Sequence, residues 1–244
     1  AAMALNAGCD VNCGSCYVNL LSALSQGLIT EEKIREAAVN LFTTRIKLGM
    51  FDEGCEYDNI PFTAAACDEH KALARKAAEK SIVLLENNGI LPLDKNSIKT
   101  IAVIGPTANS VNVLDGNYNG TADEYHTFLS GIQQSFEGRV IYAEGCHLFK
   151  DKMSVLAQKD DRLAEAYAAA KYADVVILCL GLDSTIEGEE GDAGNEFASG
   201  DKIDLRVPES QRRLIETVKK AGKPTICVVA AGSAINTETE FDAL

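Results

Sequence analysis

The chain has no apolar run near the roughly 20 residues that a membrane-spanning helix requires, and no lysine and arginine cluster with interleaved aromatics. With a formal net charge of −13, it repels a phosphate backbone. Neither a membrane nor a nucleic acid is expected as a partner. Histidine occurs only at positions 70, 126 and 147, with no HExxH pair to hold a metal, and no GxSxG elbow presents a serine nucleophile. The turn beginning Gly105-Pro106-Thr107 lacks both the second glycine of a dinucleotide loop and the Gly-Lys-Ser/Thr of a phosphate loop, which disfavours a nucleotide site. No repeat of solenoid period and no low-complexity tract is present. The opening AAMALNAGCD has neither the basic start nor the apolar centre of a secretion signal. A helical pattern already runs at Ala1 and the sequence stops shortly after an apolar strand, so both ends read as interior positions of a longer protein.

What is present is the composition of an ordinary globular protein, 46% apolar and 24% charged over 244 residues. Residues 30–48 carry apolar side chains at Ile34, Ala37, Ala38, Leu41, Ile46 and Leu48, behind a Thr30 cap with Glu31 and Glu32 in the first turn. This spacing predicts a helix that stops at Gly49. Residues 50–67 break the periodicity and predict a linker. A second helix is predicted from Asp68 to the Asn87-Asn88-Gly89 stop, with Leu73, Ala77, Ser81, Leu84 and Leu85 on one face.

Four apolar, β-branched runs follow, at 100–105, 139–143, 174–181 and 225–231. Amphipathic helical patterns at 161–172 and 209–221 lie among them. Strands apolar on both faces that alternate with helices imply a mostly parallel, doubly wound α/β sandwich, because parallel neighbours need crossover connections. Cys179 and Cys227 fall inside strand patterns and read as inert core thiols.

In such sheets the loops at the carboxyl ends of the strands carry function, and the loop after Gly181 is the most unusual in the chain. Residues 181–205 hold Asp183, Glu187, Glu189, Glu190, Asp192, Glu196, Asp201 and Asp204 among several glycines. Like charges crowded together raise carboxyl pKa values, and a raised carboxyl can donate a proton near neutral pH. The plainer alternative is a solvated acidic loop. A calcium loop counted from Asp183 places Thr185, Glu187 and Gly188 suitably, but its twelfth position is Gly194 rather than a glutamate. Cys9, Cys13 and Cys16 stand at CxxxCxxC spacing, the ligand pattern of an iron–sulfur cluster, yet a helix and a linker follow where further βα units would be needed.

Several segments resemble family three glycoside hydrolases: KSIVLLENNGILPLDKN at 80–96, IAVIGPTAN at 101–109, NAGCDVNCG at 6–14, GNYNGTADEYHTFLSGIQ at 116–133, LGLDSTIEGEEGD at 180–192 and LRVPESQRRLIETV at 205–218. They occur in the family's order and span nearly the whole chain. The resemblance implies that residues 1–49 are the last segment of a TIM-like catalytic barrel, 50–67 a linker and 68–244 the second, α/β domain. In that family the barrel supplies a nucleophilic aspartate and the α/β domain leans a glutamate acid/base over the barrel mouth. The β-xylosidase-like pattern, Glu-x-Glu with an aspartate three residues on, places Glu187, Glu189 and Asp192 in register and implies Glu189 as proton donor. Glu187 is the alternative, and Glu190 becomes one if a single-residue gap shifts the register. Ala193 stands where an arginine is common.

By the same resemblance Asp10 would touch the sugar at the barrel rim, and Cys9 and Cys13 would be structural or paired. The implied activity is that of an exo-acting retaining β-glycosidase on plant-polysaccharide oligosaccharides, β-xylosidase or arabinosidase first and β-glucosidase second. The implied partners are an oligosaccharide or β-glycoside and the rest of the barrel, with room for a homo-oligomer, and no metal or organic cofactor is implied. Without the nucleophile segment the chain alone is expected to be inactive. A non-catalytic carbohydrate-binding or assembly domain is the reading from another class.

Overall fold

A computed structural model describes residues 1–116, 119–150, 155–187, 202 and 204–237. Backbone contacts divide the chain into two compact units, Ala1–Glu79 and Lys80–Leu244.

The first unit holds α1 (Ala2–Asn6), α2 (Leu20–Ser25), α3 (Glu31–Lys47) and most of α4 (Asp68–Ser81). The Thr30 side chain caps α3 by accepting from the Lys33 N–H, with Glu31 and Glu32 in the first turn and Arg45 and Lys47 in the last, all favourable to the helix dipole. Gly49 follows in the left-handed region, as the sequence pattern predicts. The unit's core is small: Leu5, Ala23, Ile29 and Ala37, with Tyr17, Leu20, Leu24 and Ile34 against them. Of the apolar positions expected to form the buried face of α3, only Ala37 is buried, while Ile46 and its neighbour Leu48 are exposed.

The second predicted helix is shorter than its pattern. It ends at Ser81 instead of near Asn87, and no residue of α4 is buried. Ile82, Val83, Leu84 and Leu85 continue outside the helix with exposed side chains. Two consecutive β-branched residues restrict side-chain rotamers in a helix, and no packed face holds the extra turns in place.

The second unit is a four-stranded parallel sheet of β1 (Thr100–Ile104), β2 (Arg139–Ala143), β3 (Val175–Gly181) and β4 (Thr225–Ala230), in the order β2-β1-β3-β4. Alternation along the strands sends side chains to two cores. Ala102, Ile104, Val176, Leu178 and Leu180 face α6 (Asp161–Tyr172) and α7 (Glu209–Lys219), whose Ala166, Ala170, Leu214, Ile215 and Val218 fill that side. Ile101, Val103, Val175, Ile177 and Cys179 face α5 (Phe128–Ser135) through Leu129, Phe128 and Ile132. Helices on both faces make the sheet doubly wound, the architecture expected from strands apolar on both sides. The sequence pattern had not marked α5, a short helix capped by Thr127 accepting from the Ser130 N–H.

The chain leaves β1 toward β2 on one side and returns across the sheet to β3 on the other. Loops from the carboxyl ends of β1 and β3 therefore diverge, which opens the crevice where doubly wound sheets bind ligands.

Candidate active-site loop

Gly181 ends β3 with φ +137, and a Cβ there would lie 1.7 Å from the Ala230 carbonyl oxygen. Only glycine lets β3 and β4 stay in register at this point. The peptide is fixed by Gln211, a fully buried side chain of α7. Its Oε1 accepts from the Gly181 N–H at 2.9 Å, and its Nε2 donates to the Gly181 carbonyl at 2.7 Å and to the Leu148 carbonyl at 2.7 Å.

From this fixed point the loop is built by local polar bonds. The Leu182 N–H donates to the Ala230 carbonyl at 2.9 Å. Asp183 is buried, and its Oδ1 accepts from the Thr185 N–H at 2.9 Å and the Thr185 hydroxyl at 2.5 Å, a turn made by an aspartate on its own backbone. The Asp183 carbonyl accepts from the N–H groups of Ile186 and Glu187 at 3.1 and 3.0 Å, and Ile186 is buried.

Glu187 then reaches the connection after β4. Oε2 accepts from the Gly232 N–H at 2.9 Å, and Oε1 accepts from the Ser233 N–H at 3.0 Å and from the Ser233 hydroxyl. On the returning side, Lys202 Nζ donates to the Ala234 carbonyl at 2.5 Å, and the Asn236 N–H donates to the Leu205 carbonyl at 2.8 Å. Asp204 pairs with Arg206, whose side chain and backbone N–H hold the Asp204 carboxyl below the usual carboxylate range.

Of the eight acidic residues that single out this loop, Asp183, Glu187 and Asp204 are therefore tied to donors within the chain. Glu189, Glu190, Asp192, Glu196 and Asp201 lie outside the described residues. Sequence reasoning missed Gln211 and Lys202. Gln211 looks like any polar residue of an amphipathic helix, and nothing local marks it as buried.

In the first unit Asp10 is half-buried, and both carboxylate oxygens accept from Asn40 Nδ2, at 3.3 and 3.1 Å. Asn40 on α3 thus orients Asp10 within that unit. Cys9, Cys13 and Cys16 are exposed, and among the described residues no group of three or more histidine, cysteine or acidic side chains converges as a metal site. Burial pushes the Cys179 and Cys227 thiols up to about 12, so both are poor nucleophiles near neutral pH.

The chain resembles proteins of one kind. Residues 82–244 match the description "Glycosyl hydrolase family 3 C-terminal domain". A probable beta-D-xylosidase 7 of Arabidopsis thaliana is 38% identical over 239 residues, covering 95% of this chain and 29% of that protein. A probable exo-1,4-beta-xylosidase bxlB of Aspergillus terreus is 36% identical over 240 residues, covering 97% and 29%. Among solved structures, a GH3 exo-beta-xylosidase (XlnD) in complex with a xylobiose aziridine activity-based probe aligns with a TM-score of 0.79 at 31% identity, over 97% of this chain and 29% of that one. A beta-glucosidase from Listeria innocua in complex with isofagomine aligns at 0.69 with 27% identity, over 94% and 30%. The chain thus spans under a third of the length of the curated relatives it matches. Given the parallel sheet, the acidic loop at the end of β3 and these matches, the chain belongs to glycosyl hydrolase family 3, with its α/β unit corresponding to that family's C-terminal domain.

Proposed function

We propose that this chain supplies the proton-donating loop of a retaining β-glycosidase that acts on terminal sugars of plant-polysaccharide oligosaccharides, in the β-xylosidase or arabinosidase manner, and that Glu189 is the acid/base. One observation carries the reading: the loop departs from the carboxyl end of β3 at the switch point of the sheet, and the acidic residues of its described stems are already engaged within the chain. A proton donor needs an O–H directed at the leaving group; in this reading the Glu-x-Glu-x-x-Asp register gives that role to Glu189, with Glu187 as the alternative.

A carboxylate outside this chain attacks the anomeric carbon. As the glycosidic C–O bond breaks, Glu189 passes its proton to the departing oxygen. The glutamate carboxylate then takes a proton from water, and the resulting hydroxide displaces the first carboxylate and releases the sugar. With one member of the pair, the chain alone turns over no glycoside.

The first unit fits the end of a catalytic barrel. Its core is small, while Phe42, Ile46, Leu48, Phe51 and Phe62 are exposed, and large exposed apolar side chains suit a surface that packs against further protein. In this reading Asp10, oriented by Asn40, contacts the sugar. The likeness to solved β-glucosidases makes β-glucosidase the second reading of substrate.

The test is Glu189→Ala in a full-length protein carrying this chain. Turnover of a glycoside with a poor leaving group should fall about 10²- to 10⁴-fold, activated dinitrophenyl glycosides should suffer far less in the first step, and azide should restore turnover. Full activity on the poor leaving group would remove Glu189 from the role.

A further inference from the structure

An asparagine followed by glycine lets a backbone nitrogen reach the preceding side-chain carbonyl, because glycine has no Cβ to keep the two apart. The chain has two such pairs, Asn88-Gly89 and Asn119-Gly120, and all four residues are exposed. Their surroundings differ. The Gly89 N–H donates to Asn87 Oδ1 at 3.0 Å, the same oxygen accepts from the Leu91 N–H at 3.1 Å, and Asn87 Nδ2 donates to the Leu91 carbonyl at 2.8 Å. Asn88 Oδ1 accepts from the Ile90 N–H at 3.4 Å. Two asparagine side chains thus close this turn on its own backbone. In the connection between β1 and α5, Asn119 Nδ2 donates to the Gly116 carbonyl at 2.8 Å. Among the described residues no acceptor takes the Gly120 N–H, and a carbon added at Gly120 would meet nothing within 4 Å.

We infer that Asn119 is a site of spontaneous deamidation, with water as the only co-reactant, and that Asn87 protects the equivalent pair at Asn88. The Gly120 nitrogen gives up its proton and attacks Cγ of Asn119. A C–N bond forms, the bond from Cγ to Nδ2 breaks, and the proton leaves with that nitrogen as ammonia. Water then opens the cyclic imide at either carbonyl, giving aspartate or its isomer with the backbone routed through the side chain. The bond from Asn119 to Gly116 holds the leaving nitrogen, not the attacking one. At Gly89 the attacking nitrogen is itself engaged, since its proton is shared with Asn87 Oδ1. Conversion adds a carboxylate to a chain whose formal net charge is already −13, and the isomer lengthens the β1–α5 connection by a methylene. None of this depends on which glutamate is the acid/base.

The experiment incubates a full-length protein carrying the chain in mildly alkaline buffer, folded and in urea, and follows the peptides holding residues 88 and 119 by mass spectrometry. In the folded protein the acid and its isomer should appear several-fold faster at Asn119 than at Asn88, and in urea the two rates should converge. Asn87→Ala should raise the folded-state rate at Asn88 several-fold, towards its value in urea. Asn87→Asp, which keeps an acceptor for the Gly89 N–H, should leave Asn88 slow. Gly120→Ala, at a position with open space and outside the left-handed region, should slow the reaction at Asn119 without altering thermal unfolding.

Conversion of Asn88 as fast as Asn119 in the folded protein would overturn the inference. So would an Asn119 that stays an amide when folded and converts only in urea. An Asn88 rate that is the same in the parent, Asn87→Ala and Asn87→Asp would remove the protecting role of Asn87.

Discussion

Gln211 and Gly181 exchange two hydrogen bonds, N–H to Oε1 at 2.9 Å and Nε2 to the carbonyl at 2.7 Å, so a side chain of α7 completes the last peptide of β3 as a neighbouring strand would. The same amide holds the Leu148 carbonyl after β2. One buried residue thus ties the end of β3 and the connection after β2 to a helix at the point where the acidic loop begins.

Replacing Gln211 with leucine keeps the volume and removes all three bonds. Each buried group left without its partner costs about 1–3 kcal/mol, so the α/β unit should lose about 3 kcal/mol or more. In urea the midpoint should fall with little change in slope. A loss below about 0.5 kcal/mol, the size of an ordinary surface substitution, would show that the staple contributes little.

Gly181→Ala sets a methyl 1.7 Å from the Ala230 carbonyl oxygen, and Gly105→Ala sets one 1.8 Å from the Cys179 carbonyl oxygen. Backbone cannot yield there without parting the sheet, so each should cost more than about 4 kcal/mol, the range of exceptional single substitutions. Gly8→Ala is the comparison. Its φ is +90 with nothing within 4 Å of the added carbon, so it carries only the backbone penalty of about 1–2 kcal/mol. Thermal unfolding of the three variants should rank them in that order, and near-equal effects would refute the steric account.

Asp174 sits just before β3, and its Oδ2 accepts from the N–H groups of Lys99 and Thr100, both at 2.9 Å. These bonds hold its carboxyl below the usual carboxylate range. A carboxyl lowered on folding contributes stability fully above its unfolded value of about 3.9. That contribution is lost as pH falls through the folded value. Asp174→Asn should therefore be less stable than the parent near neutral pH, and the gap should narrow as pH drops below about 4. A gap of constant size from neutral to acid pH, followed by chemical denaturation, would contradict the assignment.

Local pattern reached some features and stopped short of others for definable reasons. The four strands were legible because each is a run of β-branched and apolar residues bounded by turns, and α3 because its cap and stop lie within its own sequence. The helix ending at Ser81 was overestimated, since periodicity reports what a helix could bury but not whether anything covers it. Helix α5 was missed because its eight residues offer little more than two turns of period. The acidic loop stood out by charge alone, while the partners of Glu187 lie more than forty positions away along the chain, beyond any local pattern.

By itself, the order of residues determined an α/β unit with parallel strands, a crowd of carboxylates after the third strand and the motifs of a glycoside hydrolase family, because these depend on neighbours within a few turns or on motif order. Only the tertiary structure decided the strand order β2-β1-β3-β4, the burial of Gln211 beneath Gly181 and the capture of Glu187 by Gly232 and Ser233. Those features require backbone groups distant in sequence to meet, and that meeting is set by how helices and sheet pack together.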